Sequence, residues 1–382
     1  MDYIYSQADT VAIFLGPQSE IDSSKVAFEF MKSVSDWSRT NTLDSKFIRD
    51  QKRMSSVVRL FERSYWKRLW VMQEVFHAKR ADVYCGSDYM PLDTIFSACE
   101  AFKSLSDDIE RYFPAGKVIR TSENHYSYAQ TLTTQGPTTL LSPFTLLRHE
   151  ALEVLRICRS KLAARPQDKI LGVLSLLPQD VRSMFQPNFH LTTQEVFTEI
   201  VVCIIKCSRT LDVICESIRY PFHQNSFGLP SWVPDWSHSP DTLSLAATHL
   251  SHRRPFRACP AEIKLELSVK PPVFSGGELR VSGIQIGTIT ARGMAVGTLG
   301  RLSDYLMAFL EWRHLLHDYE HDRESHTEAF CRTLCLGDVP ERLRQMDPWR
   351  RATFDLFCSI PGRTLGKTTS GRRTAVAPEE GA

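Results

Sequence analysis

Trp70 and Glu74, in the segment Leu60 to Val75, stand at a spacing that can support chemistry. Residues four apart on a helix share a face, so an indole and a carboxylate would sit one turn from each other. A carboxylate beside a sugar can hold its hydroxyls and stabilise an oxocarbenium-like transition state, as in glycoside hydrolysis. The same spacing also serves a structural role. Trp70 would then pack in the core, and Glu74 would pair with Arg63, Arg68 or a backbone amide to fix the helix. A motif this short weighs toward the structural role.

Other chemistry-bearing groups carry less. His314, His317 and His321, with Asp318, fall at spacings that could share one helical face and hold a transition metal. The stretch Glu311 to Asp322 is rich in both charges, however, and reads as a solvated helix with local ion pairs. Cys203 and Cys207, like Cys331 and Cys335, are one turn apart without the usual zinc spacing, and buried free cysteines act as small apolar residues. Pro361 to Thr368 approaches a phosphate-binding loop. Its glycine stands too close to Gly366-Lys367-Thr368, and no helix start follows. No metal and no cofactor is expected. In Pro230 to Ser237, Trp232 and Trp236 offer rigid contact area. The preferred reading is structural, with prolines holding the segment extended, both rings locking the helical part against a following sheet, and Asp235 capping a turn.

The chain of 382 residues carries 46 basic and 44 acidic side chains, a formal charge of +2, so no global field points to nucleic acid. Its ten cysteines include no Cys-x-x-Cys pair, and the start Met-Asp-Tyr-Ile-Tyr lacks the regions of a signal peptide. A reduced, cytoplasmic setting is the expectation. The longest aliphatic stretch, Ile200 to Ile205 interrupted by Cys203, is far short of the roughly 20 residues that span a bilayer, so no membrane span is expected.

The elements that must position these groups follow from periodicity. Thr10 to Leu15 reads as a buried strand stopped by Gly16-Pro17. A helix over Ser24 to Trp37 is capped by Asp22 or Ser23, and another carries the stripe Met54, Val57, Val58 and Phe61. A further helix from about Tyr65 to Ala78 places Trp70 and Glu74 on one face. Strand Ala81 to Cys85 precedes a helix opened by Pro91 or capped by Ser87 or Asp88. Composition from Gly116 to Pro143 suggests a surface loop. Helices follow over Leu146 to Leu162, over Lys169 to Leu177 capped by Asp168, and from the capping box Thr192 to Glu195 through Ile205. Strand-like alternation over Ile263 to Val269, a turn at Ser275-Gly276-Gly277 and a return through Leu279 to Ile286 predict a hairpin. Helices are expected over Leu302 to Tyr319 and Glu328 to Leu336, then a weakly ordered tail from Pro361.

Several of these segments match one family in order. Arg68, Trp70, Gln73 and Glu74, followed by Ala81 to Cys85 and Gly86, resemble the signature of the heterokaryon incompatibility (HET) domain of fungal cell-death proteins. Tyr5 to Pro17, Arg165 to Leu177 and Pro230 to Ser237 resemble further blocks of that family, and Arg332 to Leu334 and Gly362 to Pro378 resemble weaker ones. Its usual opening motifs, Ser-Tyr-x-Trp-Gly and Trp-Ile-Asp-x-x-Cys-Ile-Asn-Gln, do not occur, so a chain truncated at the N-terminus, and also at the C-terminus, is the expectation. The resemblance implies an α/β fold, a TIR-like HET domain that is incomplete, followed by an α+β region with helices and a small antiparallel sheet. The corresponding divisions are a partial HET domain at 1–115, a loop or insertion at 116–143, a helical region at 144–237, an α+β region at 238–360 and a tail at 361–382.

The function this resemblance implies is non-self recognition leading to growth arrest or programmed cell death. One form is an interaction module, triggered by self-association or a protein partner. A second follows from the family's likeness to the Toll/interleukin-receptor (TIR) fold, whose enzymatic members cleave NAD with a glutamate in a Trp-x-x-x-Glu arrangement. Here Glu74 would be the catalytic carboxylate, Trp70 its support and NAD the substrate. A third is an inert truncated paralogue.

Overall fold

The computed structural model describes residues 2–18, 23–40, 48–113, 127–140, 150–188, 190–218, 227–239 and 271–283, with scattered positions from 285 to 315. The chain divides into two compact units, one of residues 1–114 and 127–283, the other of 115–126 and 284–382. In the second unit, positions 307, 308, 310–312, 314 and 315 are helical, within the helix predicted from Leu302. His317, His321, the stretches 263–269 and 328–336 and the tail from 361 lie outside the described residues.

The first unit opens with a short helix, α1 (Asp2–Gln7), and a strand, β1 (Val11–Phe14). β1 runs parallel to β2 (Ala81–Cys85), with Val11 opposite Ala81 and Phe14 opposite Tyr84. Parallel neighbours need a crossover. It is built from α2 (Ser24–Thr40), α3 (Gln51–Phe61) and α4 (Val71–Phe76). Alternation on β1 turns Val11 and Ile13 into the core and Ala12 and Phe14 outward. Ala27, Phe30 and Val34 of α2 are buried, as are Met54, Val57, Val58 and Phe61 of α3. Ser23 caps α2 by accepting from the Val26 amide at 3.3 Å.

β2 turns directly into a strand absent from the sequence reading, β3 (Asp88–Pro91), which pairs antiparallel with Cys85 opposite Asp88. Gly86 at φ +61° opens the two-residue turn, the type II′ position that a glycine fills without steric cost. Asp88 therefore caps no following helix. Its Oδ2 accepts instead from Ser24 Oγ at 2.6 Å at the start of α2. Helix α5 (Leu92–Ser104) begins just after Pro91 with no side-chain cap. Phe102 of α5 meets Phe30 and Phe61 with ring centroids 6.3 Å away in each case, where three helices share the core. The sheet with its helical layer is α/β, as expected.

After α6 (Ser106–Tyr112), the segment read as a surface loop contains a helix, α7 (Tyr128–Thr134), with Tyr128, Ala129, Thr131 and Leu132 buried. Ser127 and Gln130 form a reciprocal capping box there. The local sequence is polar, yet tertiary contact with α3 and α5 overrides composition. The next helix, α8 (Ala151–Arg159), lies inside its predicted span. The helix predicted over Lys169 to Leu177 is split into α9 (Asp168–Leu171) and a 3-10 turn at Leu174–Leu176, and Asp168 starts it without capping it. Gly172 is the C-cap at the break, where a Cβ would stand 2.6 Å from the Asp168 carbonyl and 3.1 Å from Leu69 Cδ2. α10 (Gln179–Met184) leads to α11 (Thr193–Ser208), whose Thr192 and Glu195 form the predicted capping box. Among the described residues a hairpin joins β4 (Val273–Ser275) and β5 (Glu278–Arg280) around Gly276-Gly277, so Ser275 belongs to the strand and not to the turn, and β5 ends at Arg280, short of the expected return through Ile286.

Candidate functional site

The single helix expected from Tyr65 to Ala78 is in fact a 3-10 turn at Ser64–Lys67, an extended step through Arg68, and α4. The step is held from afar. Leu162 N–H donates to the Lys67 carbonyl at 2.6 Å and Leu69 N–H to the Leu162 carbonyl at 2.9 Å, a parallel bridge between Arg68 and Leu162. Trp66, not Trp70, fills the core at 1 % exposure, with its indole N–H donating to the Leu60 carbonyl at 2.9 Å. Trp70 is half-buried at the N-cap of α4. The turn spacing between Trp70 and Glu74 survives, since Glu74 N–H donates to the Trp70 carbonyl at 3.3 Å.

Glu74 is half-buried, and its Oε2 accepts from the Tyr65 phenol at 2.8 Å. The partner is thus neither Arg63 nor Arg68. Arg63 reaches the Pro17 carbonyl at 3.2 Å. Burial raises the Tyr65 pKa first, the Glu74 charge and hydrogen bond raise it further, and Arg68 opposes them, so this phenol stays protonated far above the usual tyrosine range. Tyr5 of α1 joins the group: burial and then Glu74 raise its pKa, while Arg68 lowers it. The result is a carboxylate flanked by two protonated phenols and an exposed guanidinium. Its chemistry is acceptance: Glu74 can bind a donor through Oε1 while Tyr65 holds Oε2. Tyr5 and Tyr65 went unnoticed in the sequence, where nothing links a tyrosine 69 positions upstream to Glu74 except the tertiary packing of α1 on α4.

Gln73, beside Glu74, is buried and donates to the Gly172 carbonyl at 2.7 Å. His77 Nε2 lies 2.9 Å from Ser175 Oγ. These bonds dock the Gln-Glu segment onto residues 168–176. Around them lies a second polar group missed in the sequence. Lys161, 3 % exposed, donates to the Trp66 carbonyl at 2.7 Å and to Thr139 Oγ1. Lys169 donates to the carbonyls of Arg159 and Lys161. Arg159 donates to the carbonyls of His238 at 2.6 Å and Asp235 at 2.8 Å, and lies over the Trp236 ring. Glu216 accepts from Arg156 at 2.7 Å and faces Arg159 at 3.4 Å. Burial lowers the pKa of Lys161 to about 8 and lowers those of Lys169 and Arg159 as well. Each cation here donates to a carbonyl, hydroxyl or carboxylate, although Arg156 Nη2 is buried without a hydrogen-bond partner among the described residues, and the arrangement is that of a structural clamp.

The Pro230 to Ser237 block serves the same clamp. Trp236 is buried against Arg159, Trp232 donates to the Gly277 carbonyl at 2.9 Å in the hairpin, and Asp235 Oδ1 accepts from Ser237 N–H at 2.9 Å. Trp232 makes the expected sheet contact and Asp235 the expected capped turn, whereas Trp236 packs on Arg159. Cys203 is buried, with its thiol pushed up to about 11 by burial, and Cys207 is half-buried. Cys207, Asp180, Asp212 and Glu150 line a cavity of about 220 Å³ that shares no lining residue with the Glu74 group. Among the described residues no cluster of His, Cys, Asp and Glu is arranged to hold a metal, and no helix is long and apolar enough to cross a membrane.

Residues 1–74 match the family model described as Heterokaryon incompatibility protein (HET). The match ends on Glu74 and takes in α1, β1, α2 and α3. Neither a curated protein nor a solved structure matches the chain.

Proposed function

From the heterokaryon incompatibility match over residues 1–74 as premise, we propose that this chain acts in non-self recognition as an interaction or effector module whose engagement leads to growth arrest or cell death. The observation that carries the module over the enzyme is the Tyr65 to Glu74 hydrogen bond at 2.8 Å. It commits one oxygen of the candidate carboxylate to a half-buried phenol and supports a fold-holding role. Trp70, half-buried at a helix start, adds a contact surface. The setting for this reading is the cytoplasm of a fungal cell.

A second reading keeps one specific support. Glu74 retains Oε1 for a ligand hydroxyl, with the exposed Arg68 close enough to influence the neighbouring phenols. In that reading the chain cleaves NAD as the TIR-like enzymes do, with Glu74 stabilising the cationic ribosyl transition state and Trp70 lining its approach.

Inducible expression of the whole chain in fungal cells, with growth and NAD content followed together, separates the two. Glu74→Gln is the informative variant, because its amide oxygen still accepts from Tyr65 while the charge is gone. The module predicts growth arrest at constant NAD, unchanged by Glu74→Gln. NAD loss that vanishes in Glu74→Gln would establish the enzyme instead, and unimpaired growth of cells expressing the wild-type chain would leave an inert form.

A further inference from the structure

The outward face of the three-stranded sheet carries an aromatic row that crosses every strand. Phe14 of β1 lies opposite Tyr84 of β2, and Tyr84 opposite Tyr89 of β3. The two tyrosine rings stack with centroids 5.6 Å apart. Phe14 is 58 % exposed and Tyr89 60 %. The row ends at β1, which with β3 is one of the two edge strands of the sheet among the described residues.

The ladder fixes which backbone groups of β1 are already used. Val11 N–H donates to the Arg80 carbonyl at 2.8 Å and Leu15 N–H to the Tyr84 carbonyl at 2.9 Å. Odd positions therefore face β2, and the N–H and C=O of Ala12 and Phe14 point away from the sheet. Among the described residues nothing bonds to them. The strand Val-Ala-Ile-Phe also lacks the lysine, proline or bulge with which proteins blunt an open edge.

We propose that this edge joins two copies of the chain, β1 pairing antiparallel with β1 about a two-fold axis at Ile13 to merge the two three-stranded sheets. The proposal deepens the self-association form of the module reading and rests on it. A second copy is the occupant because the edge complements itself. Ala12 of one copy would stand opposite Phe14 of the other, each pair exchanging both N–H to C=O bonds, so that all the outward groups are used and the two pairs are equivalent. The small Ala12 leaves room for the facing Phe14 ring, which covers it and extends the aromatic row across the junction.

Sedimentation of the full chain over a wide concentration range, beside Ala12→Pro and Phe14→Lys, tests this. Proline removes an outward N–H while leaving the β1 to β2 ladder its donors, and edge strands tolerate it there. Phe14→Lys changes an exposed side chain and covers the case in which the proline variant misfolds. The expected result is a dimer for the wild type, its loss in both variants at unchanged circular dichroism, and slowed exchange of the Ala12 and Phe14 amides only at high concentration. A dimer that persists in the folded variants overturns the surface while leaving the module reading standing. A wild-type chain that stays monomeric yet arrests growth rejects self-association by any surface. Protection of the two amides independent of concentration would mean that another segment of the same chain fills the edge, and also overturns the proposal.

Discussion

Because burial and the neighbouring carboxylate keep the Tyr65 phenol protonated, its bond to Glu74 is not lost by phenol ionisation as pH rises through the ordinary tyrosine range. A phenol whose pKa is raised on folding contributes stability that is complete below its ordinary value and lost as pH climbs above about 10. Tyr65→Phe should lower the unfolding free energy by about 1–2 kcal/mol, measured by urea titration near neutrality. Alkaline difference spectra of the wild type and this variant should show no phenolate from Tyr65 until unfolding begins. Lys161 behaves in the opposite sense. Its folded pKa of about 8 lies below the ordinary lysine value, so between about pH 8 and 10.4 the unfolded chain binds the extra proton and stability rises with pH. The stability of the wild type relative to Lys161→Met should therefore improve by about 1 kcal/mol from pH 7 to 9, read from paired urea midpoints. A flat difference would place the Lys161 charge in a solvated setting. Neither residue was legible beforehand, because burial of a tyrosine or lysine is decided by what the rest of the chain brings to it.

Elements whose signals are local were legible. The α2 and α3 stripes and the Thr192 to Glu195 box were read with element ends within three residues, and the Val11 strand within one, because spacing and caps act within a turn. What escaped depends on distant partners. The Tyr65 to Ala78 helix breaks because Leu162 bonds both sides of Arg68, and no residue near Arg68 announces that. The helix Tyr128–Thr134 did carry a Ser-x-x-Gln capping signal at Ser127, masked by its polar composition. Its C-terminal side gives a direct test. Gly136 has φ +62°, and a Cβ there would stand 2.8 Å from the Phe61 backbone. Gly136→Ala should cost at least about 1–3 kcal/mol through backbone strain and overpacking, seen as a lowered melting temperature with the far-ultraviolet spectrum kept. Glu216→Ala should cost about 3–5 kcal/mol, since it strands the charges of Arg156 and Arg159 in the interior.

At the scale of the molecule, the segment that matches the family is not a self-sufficient piece. Its last turns are held by Leu162, Lys161 and Gly172, and the aromatic block at 230–237 closes the clamp around Arg159. A fragment ending at residue 113 should lack cooperative unfolding and should show fast amide exchange at Leu69, whereas the full chain protects it. The α/β class and the structural role of Pro230 to Ser237 were readable from pattern and order. The site was readable only as the pair Trp70 and Glu74, without the tyrosines that complete it. The pairing of Trp66 with Lys161 joins residues 95 positions apart. At about 5–20 residues per second, synthesis reaches the second partner roughly 5–20 seconds after the first has been made. During that interval the Trp66 carbonyl waits for the lysine that closes on it, so the order of translation leaves this part of the core open until residue 161 has been made.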